Sequence, residues 1–171
     1  MSQNNTPFET AKSPQESAVT MTELVLPPDT NVLGTIFGGK VMAWIDVAAA
    51  MAATRHARSA VVTASIDALH FVAPIRLGEL VHIKASVNFT GKSSMEVGVR
   101  VDAEDPVTGK LTHTATAYTT FVALDSRGRP ASVPPLFIQT DEEKRRYEEA
   151  KKRRSARVQL AHDLKKVNTT T

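Results

Sequence analysis

Apolar and polar residues alternate strictly in two neighbouring segments of this chain, residues 81–89 and 95–102. Alternation at every second position is typical of half-buried antiparallel strands. Gly91-Lys92-Ser93 lies between the two segments and predicts a hairpin turn, and residues 105–109, which contain Asp-Pro and Gly, predict the next turn. The centre of the chain is therefore predicted to be an antiparallel sheet.

Three other segments are predicted to add strands to this sheet. Residues 18–26 are mostly apolar or β-branched and stop at Pro27-Pro28, which cannot continue a ladder. Residues 61–69 are a further candidate, and residues 111–124 are rich in threonine and β-branched residues, which favour strands.

One helix is predicted between the first strand and the other four, from near Gly39 to about Arg55. Its segment from Val41 to Thr54 reads VMAWIDVAAAMAAT, and Asp46 is the only charged residue there. A helix that is apolar on nearly all faces is a buried helix. A carboxylate loses hydration worth several kcal/mol in such a place, so Asp46 is expected either to be satisfied by hydrogen bonds or to do chemistry.

The two ends of the chain differ in pattern from the centre. Residues 1–16 are polar and are expected to be a disordered tail, followed by one domain over residues 17–138. Thr140 followed by Glu143 predicts a capping box. A charged surface helix is expected from about 141 to 157, within a segment 139–158, and residues 159–171 are expected to be a flexible tail.

The order of elements is strand, long helix, four antiparallel strands and a peripheral helix. This order predicts an α+β fold with one helix against one sheet. A single sheet with one covered face leaves its other face and its edges needing protection, so oligomerisation is expected.

Composition excludes several classes of function. The 171 residues include no cysteine, which removes disulfide frameworks, thiol nucleophiles and cysteine zinc sites. The N-terminus lacks the apolar core of a signal peptide, and no apolar run reaches the roughly 18 residues of a membrane span, so a cytoplasmic location is expected. The histidines show no metal-ligand spacing, so no metal is expected.

Positive charge is concentrated near the C-terminus, where residues 144–157 contain eight Lys or Arg against two Glu. Such a segment could serve nucleic acid, phosphorylated ligands or solubility. Because glutamates are interleaved and stacking aromatic residues are few, no nucleic-acid partner is expected.

The segment 29–46, DTNVLGTIFGGKVMAWID, resembles the signature of the cytosolic acyl-CoA hydrolases with the hotdog fold. The resemblance extends to 62–79, to GKSSMEV at 91–97 and to 113–125. It implies a sheet of five to six strands wrapped around the long helix. It also implies hydrolysis of fatty acyl-CoA to free acid and CoA, with no cofactor.

The resemblance assigns roles to particular residues. Asn31 and Asp46 match the catalytic asparagine and aspartate, which in this family come from opposite subunits of a dimer. Trimers of dimers are common in the family. Asp46 could act as a general base or attack the thioester directly, and both routes stay open. Unpaired N–H groups at Gly38 and Gly39 would suit a developing oxyanion, although a glycine pair alone predicts only a tight turn.

Candidates for binding the phosphates of CoA lie in loops. They are Arg76, His70 and the hairpin residues Gly91, Lys92, Ser93 and Ser94. Thr63 and Ser65 on the following strand could line the site. The basic helix, with Arg145, Arg146, Lys151 and Arg153, could add charge near the nucleotide, although each of these cations is more often simply solvated.

Two other functions fit the same fold. A hotdog dehydratase would work with a histidine acid and base, but the helix offers an aspartate instead. A sensor would bind acyl-CoA without hydrolysing it.

Overall fold

The computed structural model describes residues 11–168, with the side chains of the last helix described as far as residue 164. The first ten residues of the predicted N-terminal tail lie outside this range. Residues 11–16 do not continue as a tail, because Lys12 bridges to Leu136 and a short helix follows. The Lys12 ammonium also donates a hydrogen bond of 2.8 Å to the carbonyl of His56.

The strands form one antiparallel sheet in which β1 and β2 lie at opposite ends. Its strands are β1 Val19–Leu24, β2 Ala60–Ile66, β3 His70–Phe71, β4 Leu80–Thr90, β5 Ser94–Glu104 and β6 Leu111–Leu124. The order is β1-β4-β5-β6-β2, with β3 also paired to β6. Among the strands of residues 11–168, β2 pairs with β6 alone, so its other edge is open.

The described helices are α1 Pro14–Ser17, α2 Gly38–Ala57 and α3 Asp141–Asn168, with a 3₁₀ turn at Pro27–Asp29. The two long helices, α2 and α3, lie on opposite faces of the sheet. We call the sheet face against α2 the inner face and the face against α3 the outer face. No helix among the described residues is both long enough and apolar enough to cross a bilayer.

The inner face is the apolar half of the alternating strands, as predicted. Val81, Ile83, Val97 and Val101 are at most 1% exposed and pack in one core with α2. Helix α2 contributes small residues to this core, among them Ala48, Ala49, Ala52 and Ala53. Small side chains let the helix lie close to the curled sheet.

Helix α3 begins where the sequence predicts and ends later. Thr140 Oγ1 accepts the Glu143 N–H at 3.1 Å, and Glu143 accepts the Thr140 N–H at 3.0 Å, which confirms the capping box. The predicted end near 157 is wrong, since the helix continues to Asn168. The segment after Arg157 contains no proline or glycine, and its residues can extend a helix although residues 158–164 are all exposed.

The strand predicted over 61–69 is interrupted. The register against β6 shifts between Thr63 and Ser65, so Ala64 is an extra residue in a β-bulge. Thr63 pairs with Phe121, which is buried on the inner face, whereas Ser65 pairs with Thr120, which lines the outer face. Without a bulge, residues two apart would point to the same side.

Candidate functional site

Asp46 lies at the flank of an exposed stripe on α2 and is only partly buried within one protomer. Ala43, Val47 and Met51, spaced four residues apart, form the centre of this stripe. The prediction that α2 is buried on nearly all faces is therefore wrong for the single chain. Within one protomer, burial does not account for the presence of the carboxylate.

A threonine hydroxyl holds the Asp46 carboxylate. Thr63 Oγ1 donates a hydrogen bond of 2.8 Å to Asp46 Oδ1, joining α2 to the strand at the open edge of the sheet. Of the two strand residues suggested by the sequence, Thr63 reaches Asp46, whereas Ser65 lies beside the outer face because of the bulge. The second carboxylate oxygen has no hydrogen-bond donor among the described residues.

The start of α2 supplies two free donors. Phe37 is the N-cap and makes no side-chain capping bond. In the described part of the chain, the N–H groups of Gly38 and Gly39 have no acceptor, as expected for the first residues of a helix. A Cβ on Gly39 would clash with the ring of Phe37, and a Cβ on Gly38 would lie 3.5 Å from the ring of Phe71.

Asp46 follows Gly39 by seven residues, which is two turns and about 10 Å along α2. The carboxylate and the free N–H groups are thus on similar sides of the same helix. The dipole of α2 is positive at the glycine end and would favour negative charge there.

Within one protomer, no hydrogen bond among the described residues joins Asn31 to Asp46. Its amide closes its own loop instead, donating to Thr35 Oγ1 at 3.0 Å and accepting the Leu33 N–H at 2.9 Å. The loop is exposed, with Val32 fully accessible to solvent. An exposed, pre-shaped loop of this kind can present its amide to a second copy.

An ion pair attaches this loop to the start of α2. Lys40 Nζ lies 3.0 Å from Asp29 Oδ1, and the hydrogen bond from Lys40 lowers the pKa of Asp29. The Phe37 N–H also donates to the carbonyl of Asp29 at 2.8 Å. The segment that carries Asn31 is therefore fixed relative to the glycine pair.

The residues predicted to bind CoA fall in three places. Arg76 borders the Asn31 loop through a bridge with Thr35, and its side chain is 70% exposed. His70 is exposed in β3, beside the ring that covers Gly38. The hairpin residues 91–94 join β4 and β5, where Ser94 pairs with Val122 of β6 and Val122 pairs with Val62 of β2.

The row from Ser94 through Val122 to Val62 places the hairpin at the same end of the sheet as Thr63. Two strand spacings separate Ser94 from Val62, or about 10 Å. Lys92 is exposed and its carbonyl accepts the Val133 N–H at 3.0 Å, so the exit loop fixes the hairpin backbone and leaves the ammonium accessible.

Of the eight Lys and Arg residues of α3 whose side chains are described, five pair with carboxylates. Arg153 and Arg157 lie 2.7 and 2.8 Å from the Glu96 carboxylate, which is 1% exposed, and Arg157 also pairs with Asp67 at 2.7 Å. The Arg153 guanidinium stacks 3.5 Å from the ring centroid of Tyr118. The suggestion that Arg153 serves CoA is therefore not supported by its contacts. A glutamate among the apolar residues of β5 was the sequence signal for this network.

Exposed apolar side chains occur on the exposed side of α2, on the Asn31 loop and around β3. They are Val32, Leu33, Phe37, Val47, Met51, Phe71 and Val72. An exposed apolar patch next to an open strand edge marks an interaction site. Among the described residues, no three His, Asp or Glu side chains are grouped as a metal site.

Comparison with known proteins agrees with this geometry. Residues 33–110 match the model of the thioesterase superfamily. An acyl-CoA thioester hydrolase of Bacillus subtilis is 46% identical over 129 residues, covering 75% of this chain and 75% of that protein. The cytosolic acyl coenzyme A thioester hydrolase of Rattus norvegicus is 40% identical over 140 residues, and the match spans 80% of this chain but 36% of the rat protein.

Solved structures are also similar. An apo-hexameric acyl-CoA thioesterase is 48% identical with a TM-score of 0.84, covering 87% of this chain and 96% of that one. An acyl-CoA hydrolase of Staphylococcus aureus, solved in complex with butyryl coenzyme A, coenzyme A and coenzyme A disulfide, is 39% identical with a TM-score of 0.81, covering 91% of this chain and 98% of that one.

A long helix wrapped by a curled antiparallel sheet is the hotdog fold, and the similar solved structures are thioesterases. The chain belongs to the thioesterase superfamily and, within it, to the acyl-CoA hydrolases. The predicted fold class and family are thereby confirmed.

Proposed function

We propose that this protein hydrolyses acyl-CoA to a free carboxylic acid and CoA, with Asp46 as the catalytic residue and Thr63 as its positioning residue. The observation that carries this proposal is the Thr63–Asp46 hydrogen bond of 2.8 Å on an accessible flank of α2. One carboxylate oxygen is held, and the other is left for a water molecule or a thioester carbon. The cytoplasmic location stays a prediction.

The spacing of the proposed residues supports their roles. The S. aureus acyl-CoA hydrolase has been solved as three variants, in which an asparagine, an aspartate or a threonine is replaced by alanine. These three positions are separated by 15 and then 17 residues. Asn31, Asp46 and Thr63 are separated by the same two intervals. This agreement supports Thr63 as a third proposed site residue beside Asn31 and Asp46.

The free N–H groups of Gly38 and Gly39 are proposed to stabilise the oxyanion of a thioester attacked at the Asp46 of a second copy, because within one copy about 10 Å along α2 separates them from Asp46. When the thioester carbonyl becomes tetrahedral, its oxygen gains a full negative charge. Donors that are already oriented and unpaired can stabilise this charge without reorganisation. Removing one such donor typically lowers the rate by a factor of about 10²–10³. Their position at the positive end of α2 adds to this effect.

Two chemical routes remain for Asp46. As a general base, it takes a proton from water while the water oxygen bonds to the thioester carbon, and the C–S bond then breaks to release CoA thiolate, which is reprotonated. As a nucleophile, a carboxylate oxygen bonds to the same carbon, CoA thiolate leaves, and water then hydrolyses the anhydride.

The site is proposed to be completed by a second copy of the chain. Asn31 makes its hydrogen bonds inside its own loop, and the apolar surface around α2 and the open edge of β2 have no partner within the protomer. Pairing of two β2 edges would cover this surface and bring the Asn31 loop of one copy towards Asp46 of the other. A homodimer is the proposed unit, and assembly of three dimers into a hexamer, as in the hexameric relative, is the proposed complete form.

Replacement of Asp46 tests the catalytic proposal. We expect Asp46→Ala and Asp46→Asn to lower the rate of thiol release from acyl-CoA by at least about 100-fold, as for loss of a general base, with the assembly intact by light scattering. Asp163→Asn, an exposed aspartate on α3, is the matched control and should keep full activity. Turnover near the wild-type rate in Asp46→Asn would refute the assignment.

Isotope labelling separates the two routes. In a single turnover with excess enzyme in H₂¹⁸O, the general-base route places ¹⁸O only in the released acid. In the nucleophilic route, water that attacks the acyl carbon of the anhydride gives the same result, but attack at the aspartyl carbon labels Asp46. Mass spectrometry of the peptide that contains Asp46 detects that label, which would identify the nucleophile.

The CoA phosphates are proposed to bind near the hairpin 91–94, with Arg76 and His70 as further candidates. Lys92 is exposed at the hairpin tip, on the row of the sheet that leads to β2. We expect Lys92→Ala to raise KM for acyl-CoA several-fold with little change in kcat, because one phosphate contact is lost in both the ground and transition states. Lys152→Ala on α3 is the control, and an unchanged KM in Lys92→Ala would remove the hairpin from the CoA site.

A further inference from the structure

Helix α3 crosses the outer face of the sheet from β4 to β2. Near its start, the ring of Tyr147 lies 5.2 Å from the ring of Phe89 on β4. Arg153 contacts side chains of both β5 and β6. Arg157 then lies 2.7 Å from the carboxylate of Asp67, the residue that directly follows β2. The helix therefore passes over β4, β5, β6 and β2 in the order in which these strands lie in the sheet.

The dimensions of the helix and the sheet agree with this path. Ten residues separate Tyr147 from Arg157, which is about 15 Å of helix. Three strand spacings separate β4 from β2, which is about 14 Å. The helix therefore runs nearly perpendicular to the strands and reaches the open edge of β2 at Arg157. It continues to Asn168, eleven residues and about 16 Å further. We call residues 158–168 the C-terminal arm.

The C-terminal arm carries large apolar side chains that its own chain does not bury. Val158, Leu160 and Leu164 are each 58–60% exposed. Leu160 and Leu164 are four residues apart and follow Arg157 at the spacing of one helix face. Most of the stability of a helix in a protein comes from packing such a face, so an apolar face without packing points to a partner outside the chain.

A crevice of about 770 Å³ separates this face from the sheet. It is lined by Leu160 and Leu164 on the C-terminal arm and by Ser65, Ile66 and Ala68 at the end of β2. Protein interiors are packed to nearly crystalline density, so a gap of this size is not a finished contact between α3 and its own sheet. The crevice lies beside the edge of β2 that pairs with no other described strand.

We propose that the C-terminal arm of each protomer packs on the outer face of a second copy, across the paired β2 edges of the dimer. The inference rests on the proposed homodimer. When the β2 strands of two copies pair, the sheet continues in the direction in which α3 points. An arm of about 16 Å then extends over about three strand spacings of the second sheet. Each copy gives one arm and receives one, as two-fold symmetry requires.

The second copy offers an apolar surface for the C-terminal arm. Val62 precedes Thr63 on β2 and points to the opposite, outer face, where it is 46% exposed beside Val122. A small apolar ligand could also enter the crevice, but it would leave the hydrogen-bonding groups of the β2 edge unpaired. A second copy covers the C-terminal arm, the crevice and the edge together.

Crosslinking between copies tests the position of the C-terminal arm on the full chain. The chain contains no cysteine, so introduced thiols are the only ones. Leu160→Cys on a tagged chain is co-expressed with Val62→Cys on an untagged chain, and the purified protein is treated with a flexible bismaleimide. We expect a product with the combined mass of one tagged and one untagged chain. Val107→Cys, an accessible valine in the β5–β6 turn, replaces Val62→Cys as the control and should give none. Absence of the mixed product with Val62→Cys would overturn the proposal.

The affinity of the dimer gives a second readout. Leu160→Glu combined with Leu164→Glu keeps good helix formers but replaces the apolar face with charge. We expect the dissociation constant of the dimer, measured by sedimentation on dilution, to rise at least about tenfold, because both symmetric arms lose their contacts. Val107→Glu adds a charge outside the interface and should keep the wild-type value. An unchanged constant in the arm variant would overturn the proposal. So would a hexamer that separates into dimers of wild-type affinity, since the arm would then join one dimer to another.

Thiol release separates this inference from the proposed function. The C-terminal arm is on the face of the sheet opposite Asp46, so the arm variant should keep the wild-type kcat far above the dissociation constant and lose activity on dilution. A wild-type dimer whose arms crosslink but which releases no thiol from acyl-CoA would refute the proposed function and leave this inference intact. Hydrolysis without the mixed crosslink would do the reverse.

Discussion

The two faces of the sheet hold their helices by different forces. The inner face packs against α2 through apolar side chains that are almost fully buried, and its only described polar link to that helix is the Thr63–Asp46 bond. The outer face holds α3 through a charged cluster, with Glu96 between Arg153 and Arg157, in addition to the contact of Phe89 with Tyr147. Apolar side chains carry no charge that salt can screen or pH can titrate, whereas ion pairs respond to both. Catalysis is proposed on the inner side of the sheet, at the accessible flank of α2.

The largest expected effect comes from the inner face. Ile83 is fully buried beneath α2, and Ile83→Ala should lower the free energy of unfolding by about 2–5 kcal/mol through lost burial and a residual cavity. Lys84→Ala, the next residue on the same strand but on the outer face, should change it by less than about 0.5 kcal/mol. Urea unfolding at one fixed protein concentration measures both. Similar losses in the two variants would contradict the contrast between the faces.

The second effect tests how α3 is held. Glu96→Gln removes the charge that Arg153 and Arg157 share. Because the two arginine side chains are about one fifth exposed and can be solvated, we expect a loss of about 1–2 kcal/mol rather than that of a fully buried pair. Amide exchange should rise along α3 but not along α2. Glu148→Gln, an exposed i,i+3 partner of Lys151, is the control. Uniform exchange in both helices would show that α3 is held by something other than Glu96.

The smallest expected effect is a change with pH in the free energy of unfolding, and it arises on the inner side of the sheet. His56, at the end of α2, is fully buried between Ser17 Oγ and the carbonyl of Pro134, and burial lowers its pKa. The folded state therefore prefers neutral imidazole. Its contribution is complete above the unfolded pKa of about 6.5 and is lost as the pH falls below that value. Stability should fall by at most about 1.4 kcal/mol per pH unit from this group.

A His56→Gln variant isolates this contribution, since glutamine does not titrate. The difference in unfolding free energy between wild type and variant should shrink from pH 7.5 to pH 5.5. A difference that stays constant over this range would mean that His56 does not titrate differently in the folded and unfolded states.

Much of the fold could be predicted because the strands alternate so regularly. Val81, Ile83 and Val97 were correctly placed inside by period alone, and Thr140 with Glu143 correctly marked the start of α3. The exposed stripe of α2 could not be predicted, because alanine occupies both its buried and its exposed positions. Ala43 is exposed and Ala48 is buried, yet the sequence is equally apolar at both.

The candidate site was predictable in its types of residue but not in its contacts. The resemblance pointed to Asp46 and Asn31, while the bond from Thr63 depends on a register shift in β2 that leaves no mark in the composition of VVTASI. The pairing of Glu96 with Arg153 joins residues 57 apart in the sequence and needs the curl of the sheet to bring them together. Long-range pairs of this kind leave no local pattern.

The bulge at Ala64 makes the length of β2 more important than its composition. One extra residue lets a single strand direct Thr63 towards α2 and Ser65 towards α3. A chain shortened by one residue at this point would keep every side chain of the proposed site and still exchange the sides on which the neighbours of Thr63 lie. Insertions and deletions here should therefore be tolerated far less than substitutions of Ala64. The number of residues in this short segment determines on which side of the sheet Thr63 and Ser65 lie.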